Sequence, residues 1–196
     1  MPSQARILEA ARGEFALHGY SARLQDIAER AGLTHPTLLY HFKSKELLYA
    51  AVIEDAMHDW AQMTSAAVSA APVGFDRLAA LVAAGMEFFA THADFVVIWR
   101  REAIEGGGRL EDAMAEHMRP FLDRGIAFLR REVEAGRLRE HDSVELMQLV
   151  YGAVSTYFSD SGFRTRVTGE NPLTPEARAR FGAALTAMLR DALAPR

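Results

Sequence analysis

Apolar residues recur along most of this chain at intervals of three and four, the spacing that places side chains on one face of an α-helix. In the first such segment, ARILEAARGEFALHGY, the apolar positions at this spacing are Ile7, Leu8, Ala11 and Phe15. From Ser44 onward no stretch alternates apolar and polar residues with a period of two, and no Asn-Gly or Asp-Gly pair predicts a β-hairpin. The pattern therefore predicts an all-α protein.

Capping and breaking residues set the expected helix ends. Later helices are expected at about residues 44–69, 75–91, 95–105, 109–135, 143–158 and 175–194. The candidate N-terminal caps are Asp94, Asp142 or Ser143, and Thr174, and the terminating residues are Pro72, Gly136 and Pro195. Residues 162–172 are expected to form a loop. The chain thus divides into a three-helix N-terminal head (residues 1–50) and a body of roughly six helices (residues 51–196).

The stretch LQDIAERAGLTHPTLLYHFKSKELL, residues 24–48, predicts two short helices joined by a tight turn and followed by a third. Gly32 ends the first helix with positive φ, and Leu33 and Leu38 point back toward a small core. Thr34 and Ser44 are the expected caps of the next two helices. The second helix keeps an outward face made of His35, Pro36, Thr37, Tyr40 and His41. Small proteins present a helix to the DNA major groove in this way.

At these residues, over about residues 5–53, the chain resembles the TetR/AcrR (tetracycline-repressor-like) family of transcriptional regulators. HPTLLYHFKSKELL is similar to the family's recognition helix and its exit. The resemblance implies a homodimeric regulator, most often a repressor, that binds an inverted-repeat operator in double-stranded DNA and is released by a small molecule. It further implies base contacts from Gln25, His35, Pro36 and Thr37, and phosphate contacts from Tyr40, His41 and Lys45. Amides and hydroxyls can read bases, whereas a cation or imidazole grips the backbone.

Three further positions complete the predicted DNA-contacting set. Thr34 caps the recognition helix. Arg23 stands where the family usually has a Ser or Thr that caps the second helix, the one that begins at Leu24. This leaves Ser21 as the alternative cap of that helix. Leu39 replaces the family's common Tyr, and leucine cannot donate a hydrogen bond to phosphate. We therefore expect Leu39 to contact a thymine methyl or nothing.

Composition and charge narrow the setting. The chain has 196 residues and no cysteine, which excludes disulfides and thiolate chemistry. No apolar run approaches the ~20 residues that span a bilayer, and the N-terminus does not have the pattern of a signal peptide, so a cytoplasmic protein is expected. The net charge is −4, yet residues 1–50 contain six basic and five acidic residues. A weakly basic head makes few phosphate contacts, which favours two heads acting together in a dimer.

The body is rich in large apolar and aromatic residues, most of which are expected to pack its core. Some of these residues lie near polar groups such as His117 and Arg100. An apolar pocket with a few such orienting groups would suit a largely apolar small molecule. The predicted effector-binding residues are Met86, Phe89, Trp99, His117, Met118, Phe121 and Tyr151. Pro120 either opens space between helices or is a tolerated kink, and Gly106 to Gly108 form a candidate hinge.

The dimer interface is expected on the last two long helices, as the resemblance implies. Both helices carry more apolar surface than one inward stripe needs. The predicted interface residues are Val150, Val154, Phe158, Phe181, Leu185, Met188 and Leu189.

Competing chemistry is weakly supported by the sequence. His58 with Glu54 and Asp55 could offer a metal two or three ligands, but no matching pair occurs elsewhere, so no metal site is predicted. Gly106 to Gly108 lack the strand and the Lys-Ser/Thr of a phosphate-binding loop. No catalytic residue and no cofactor are predicted. The alternative hypothesis is a helical enzyme or binding module whose head does not read DNA.

Overall fold

The computed structural model describes residues 3–106 and 111–195, with the backbone alone for residues 111–118. The described residues form ten α-helices and no strand, which confirms the all-α class. The helices are α1 Ser3–His18, α2 Leu24–Arg30, α3 His35–His41, α4 Lys45–Ala70, α5 Phe75–Thr91, α6 Ala93–Ile104, α7 Glu111–Glu134, α8 Ser143–Ser159, α9 Ser161–Thr168 and α10 Pro175–Leu193. A 3₁₀ turn covers Gly19–Ser21.

Residues 1–58 and 92–117 make a first compact unit. Its interior is formed by fully buried side chains from α1 to α4 and α6: Ile7, Phe15, Ile27, Leu38, Leu48, Val52, Ile53, Phe95 and Ile98. The rings of Phe15 and Tyr49 meet edge to face, with centroids 4.7 Å apart. Helix α6, which the sequence places in the body, therefore shares a core with the helices of the predicted head. The domain boundary at residue 50 remains a prediction.

Residues 59–91 and 118–196 make a second compact unit. Its buried core joins α5, α7, α10 and the segment after α7 through Phe75, Leu78, Val82, Leu129, Leu138, Leu189 and Leu193. Glu132 is also buried, and its carboxylate accepts two hydrogen bonds from the guanidinium of Arg137, at 2.6 and 2.9 Å. These hydrogen bonds lower the pKa of Glu132 below its ordinary value. A buried charge is thus matched by a partner close in sequence.

Most of the expected helix ends are observed. The side chains of Thr34, Asp142 and Thr174 each accept a hydrogen bond from a backbone N–H in the first turn of α3, α8 and α10. Gly136 follows α7 with φ of 68°. Such caps satisfy backbone groups that the helix leaves unpaired, which is why they mark boundaries reliably.

Two expected boundaries are wrong. Residues 161–168 form α9 where a loop is expected, and Asp94 lies inside the first turn of α6, whose N-cap is His92. All eight residues of α9 are fully or partly exposed, and only Phe163 and Val167 are large and apolar, which is too short a pattern to predict a helix.

No single helix in the described part of the chain is long and apolar enough to cross a membrane; α5 and α6 reach that length only when counted together.

Candidate nucleic-acid interface and effector site

The turn between α2 and α3 has a defined hydrogen-bonded geometry. Gly32 has φ of 66°, and its N–H donates to the carbonyl of Glu29 at 2.9 Å. The N–H of Leu33 donates to the carbonyl of Ala28, also at 2.9 Å. This pair of bonds is the Schellman arrangement, which needs a left-handed residue and so favours glycine. The local sequence therefore fixes the direction in which α3 leaves the turn.

The two faces of α3 differ in exposure. Leu38 is fully buried, whereas Tyr40 is 83% exposed and His41 beside it is also exposed. Thr34 accepts the backbone N–H of Thr37 at 3.3 Å, and the two hydroxyls lie 2.8 Å apart. Of the other predicted base-contacting residues, Gln25 and Pro36 are exposed and His35 is half-buried. The outward face of α3 is therefore polar and aromatic.

Arg23, before α2, and Leu39, within α3, are two further predicted DNA-contacting residues. Arg23 is exposed and occupies the N-cap position of α2 without a capping hydrogen bond from its side chain. The expectation that Ser21 caps α2 is wrong, because Arg23 occupies the N-cap position; the Ser21 hydroxyl donates to the carbonyl of His18 at 2.5 Å. Leu39 is half-buried. The exposed guanidinium of Arg23 at the start of α2 is suited to binding a phosphate. The hydrogen bond from the Ser21 hydroxyl stabilises the turn that follows α1.

Lys45 opens α4, one residue after the cap Ser44, whose hydroxyl accepts the N–H of Leu47 at 3.3 Å. The ammonium of Lys45 lies 4.6 Å from the centroid of the Tyr20 ring. The Tyr20 hydroxyl donates to the carboxylate of Glu46 at 2.5 Å, and this bond, together with hydrogen bonds from the backbone N–H of Glu46 and from Ser44, lowers the pKa of Glu46 to about 2. A cation at the start of a helix that flanks α3 is well placed to hold a phosphate.

Helix α6 makes specific contacts within the first unit. Tyr49 of α4 donates to the carboxylate of Glu102 at 2.9 Å, and both side chains are almost fully buried. The guanidinium of Arg101 donates to the carbonyl of Ala16 at 3.4 Å and lies directly over Gly19, where a Cβ would meet it at 2.6 Å. Its φ of 59° favours glycine at position 19, and any larger residue there would also displace the Arg101 side chain.

The second unit contains an aromatic cluster that the sequence prediction found only in part. The Trp60 ring lies 5.1 Å from the centroids of both Phe88 and Phe121, and 6.5 Å from that of Phe89. Phe158 of α8 lies 6.1 Å from Phe89. Trp60 stands at an apolar position in the spacing of α4, but that spacing does not indicate which distant rings it meets. We call these five residues the Trp60 cluster.

The predicted effector residues are divided between the two units. Phe89 and Phe121 belong to the Trp60 cluster, and Met86 and Tyr151 also lie in the second unit. Trp99 lies in the first unit, with its ring 5.7 Å from that of Phe95. His117 and Met118 lie outside the residues whose side chains are described, and of the predicted hinge the structure describes Gly106 alone, at φ of 89°.

Two open grooves mark the surface of the second unit. One, of about 290 Å³, lies between α5 and α10, is lined by Met86, and has the ion pair of Glu87 with Arg178 (3.8 Å) at its side. The other, of about 450 Å³, lies among α8, α9 and α10. There the rings of Tyr157 and Phe181 stack with centroids 4.1 Å apart. Both grooves are open and border the helices predicted to form the dimer.

The predicted dimer residues differ in exposure. Val154, Phe158 and Leu189 are buried within the single chain. Val150, Phe181 and Leu185 are half-buried, whereas Met188 is 71% exposed and Leu149, another apolar residue of α8, is 69% exposed. A partner could therefore cover Leu149 and Met188 directly, and the buried members would support that surface from below.

The possible metal ligands near His58 are otherwise engaged: Asp55 lies 3.9 Å from the guanidinium of Arg12. Within residues 3–106 and 119–195, no three His, Asp or Glu side chains are grouped closely enough to hold a metal ion.

Comparison with known proteins identifies the family to which this fold belongs. Residues 7–52 match the family model described as bacterial regulatory proteins, tetR family, and this segment includes all of α2 and α3. Residues 53–196 match the model of the YcdC-like protein, C-terminal region. The chain belongs to the TetR family. It is a transcriptional regulator and not an enzyme, so the family predicted from the sequence is confirmed and the enzyme hypothesis is set aside.

Named relatives agree with this assignment. The HTH-type transcriptional regulator RutR of Escherichia coli (strain K12) is 28% identical over 167 residues, which cover 83% of this chain and 77% of RutR. Among solved structures, FadR from Bacillus subtilis in complex with stearoyl-CoA has a TM-score of 0.74 at 16% identity, covering 93% of this chain and 97% of FadR. AibR in complex with isovaleryl coenzyme A and operator DNA has a TM-score of 0.77 at 18% identity, covering 96% and 98%. At these identities the two structures establish the fold of this TetR-family chain.

Proposed function

We propose that this TetR-family regulator is a repressor that binds an inverted-repeat operator as a homodimer and leaves it when a small, largely apolar effector binds. The observation that carries the DNA part is the contrast across α3, where Leu38 is fully buried and Tyr40 is 83% exposed. A helix anchored on one face and polar on the other, behind a fixed turn, is suited to the major groove. Following the family pattern, Gln25, His35, Pro36 and Thr37 would contact bases.

Sequencing the genomic fragments that the purified protein retains tests operator binding. Two recognition helices related by a two-fold axis should select one inverted repeat, with half-sites about one or more helical turns apart. Uniform retention of all fragments would contradict the proposal. The sign of regulation is tested by placing the selected repeat before a reporter gene, because deleting a repressor raises reporter expression and deleting an activator lowers it.

Dimerisation through α8 and α10 is supported by their exposed apolar side chains. Leu149 and Met188 are 69% and 71% exposed, and a partner that covered them would remove their apolar surface from water. The double variant Leu149→Glu with Met188→Glu should be monomeric in analytical ultracentrifugation, and it should remain folded because neither side chain packs in the interior. Leu17→Glu on α1, where the leucine is 64% exposed, is the matched control and should remain dimeric. A dimeric double variant would place the interface elsewhere.

The Trp60 cluster supports an apolar effector. Its four phenylalanines and one tryptophan offer flat apolar faces of the kind that line small-molecule sites. FadR and AibR are each described in complex with an acyl-CoA, whose acyl chain has this apolar character. We therefore propose acyl chains as the first effector class to test on this chain, supplied both as free fatty acids and as acyl-CoA thioesters, in which the apolar acyl chain and not the charged coenzyme would enter the Trp60 cluster.

Single-tryptophan variants test the location of the effector site, because the chain has two tryptophans. Trp99→Phe leaves Trp60 as the reporter, and Trp60→Phe leaves Trp99. Compounds that release the operator should change the fluorescence of Trp60, and a genuine effector should weaken operator binding by about 5- to 150-fold. If the releasing compounds change the fluorescence of Trp99 alone, the effector site does not lie at the Trp60 cluster.

A further inference from the structure

Lys45 does not extend freely into solvent. It is half-buried, and its ammonium lies 4.6 Å from the centroid of the Tyr20 ring. A cation at this distance from an aromatic face is attracted by the ring's negative quadrupole. This attraction opposes the repulsion that a cation feels at the positive end of a helix, and Lys45 is the first residue of α4. The ring therefore keeps the ammonium in place at the start of α4.

The Tyr20 ring is itself held on two sides. Its hydroxyl donates to Glu46 at 2.5 Å, so the ring is tied to the first turn of the same helix that carries Lys45. Its face meets Tyr49 edge on, with centroids 5.3 Å apart. Tyr49 is 1% exposed and donates to the buried carboxylate of Glu102 at 2.9 Å. A ring supported by a buried, hydrogen-bonded neighbour is a rigid platform for a flexible lysine.

We propose that Tyr20 is a positioning residue for DNA binding: its ring holds the Lys45 ammonium in the place where it contacts a phosphate of the operator. This inference rests on the proposed function, since it requires Lys45 to contact DNA. A lysine that is already ordered loses less side-chain freedom when it binds. Tyr20 therefore contributes to operator affinity without touching DNA.

A double-mutant cycle on operator binding tests the inference, with the other lysine of the chain as the control. Lys45→Met should lower affinity and reduce the salt slope by about 0.9 for each subunit. Tyr20→Leu in the wild-type background should lower affinity by roughly 2- to 5-fold for each subunit. It should have no further effect in the Lys45→Met background, but should keep its full effect in the Lys43→Met background. Tyr20→Phe, which retains the ring, should restore most of the affinity.

A measurement on the free wild-type protein keeps the test valid if Tyr20→Leu does not fold. Isotope-labelled lysine gives signals from Lys43 and Lys45 alone, because the chain contains no other lysine. The ε-methylene protons of Lys45 should be shifted upfield by the ring current of Tyr20, and those of Lys43 should not. Two identical signals at the ordinary lysine position would overturn the inference.

The outcomes separate this inference from the proposed function. If Tyr20→Leu lowers affinity equally in the Lys45→Met and Lys43→Met backgrounds, Tyr20 serves the fold and does not position Lys45. If Lys45→Met changes neither affinity nor salt slope while the wild-type protein still selects an inverted repeat, the inference fails and operator binding stands. If the wild-type protein selects no repeat, the proposed function fails first.

Discussion

The recognition helix α3 and the Trp60 cluster both depend on buried apolar side chains, but they are specified over different distances along the chain. The geometry of α3 is set within about ten residues, from the turn at Gly32 through the cap Thr34 to the buried Leu38. The Trp60 cluster brings together residues of α4, α5, α7 and α8. The proposed DNA-contacting surface therefore follows from one short motif, whereas the proposed effector site depends on how distant helices pack.

The largest expected effect is on stability, and it comes from truncating Leu38, the buried residue of α3. Leu38→Ala should lower the free energy of unfolding by about 2 to 5 kcal/mol, because a fully buried leucine leaves a cavity when truncated. Urea denaturation followed by circular dichroism measures this loss. Tyr40→Ala on the opposite face is the control and should leave stability within about 0.5 kcal/mol. Equal losses for the two variants would mean that the two faces of α3 are not distinct.

A second prediction compares one variant in the proposed DNA-contacting surface with one variant in the Trp60 cluster. Gln25 is exposed, so Gln25→Ala should leave the fold intact and weaken discrimination at one operator position by about 1 to 3 kcal/mol. Trp60→Phe should do the reverse, leaving operator affinity unchanged while raising the effector concentration needed for release. Binding titrations with matched and mismatched operators measure both effects. The separation of the two regions would be broken if either variant changed both properties.

Features fixed by local chemistry could be predicted from the sequence. The cap at Thr34, the glycine turn at Gly32 and the inward Leu38 each follow from interactions within a few residues, and the structure has all three. The family resemblance added Lys45 to the predicted DNA-contacting residues, but it did not indicate that the Tyr20 ring lies against the Lys45 ammonium. That contact joins residues 25 positions apart, which neither periodicity nor a local motif reveals.

The rest depends on tertiary packing or on weak local signals. Trp60 sits in the regular pattern of α4, and its contacts with Phe88 and Phe121 follow from the packing of distant helices. The helix α9 contains Gly162 and two threonines, which are poor helix formers, and has no buried face. In α9 the hydroxyls of Thr165 and Thr168 donate to the backbone carbonyls of Ser161 and Arg164, and the helix ends at Gly169 with φ of 74°.

The pH dependence of stability sharpens the comparison, because the buried Glu132 of the second unit should contribute to it, beside the exposed Glu46 of the first unit. The pKa of Glu132 is lowered from 4.5 by its hydrogen bonds with Arg137. A carboxyl with a lowered pKa stabilises the fold above pH about 4.5, and this contribution is lost as the pH falls through the lower folded-state value. The free energy of unfolding should therefore fall with decreasing pH in the acid range. Arg137→Met should be less stable at neutral pH and should show a flatter profile; an unchanged slope would assign the acid sensitivity to other carboxyls.

The smallest expected effect concerns α9, whose contribution should be to assembly rather than to the fold of the single chain. Phe163 and Val167 are 71% and 66% exposed and lie one helical turn apart. Phe163→Ser should change the unfolding free energy of the protomer by about 0.5 kcal/mol or less, because an exposed side chain leaves no cavity. The same change should raise the dimer dissociation constant if a partner covers the groove that Phe163 lines with Tyr157 and Phe181. Sedimentation across a dilution series measures this, with Val73→Ser, at an exposed position between α4 and α5, as the control. A dissociation constant unchanged by Phe163→Ser would leave α9 outside the dimer interface and confine that interface to α8 and α10.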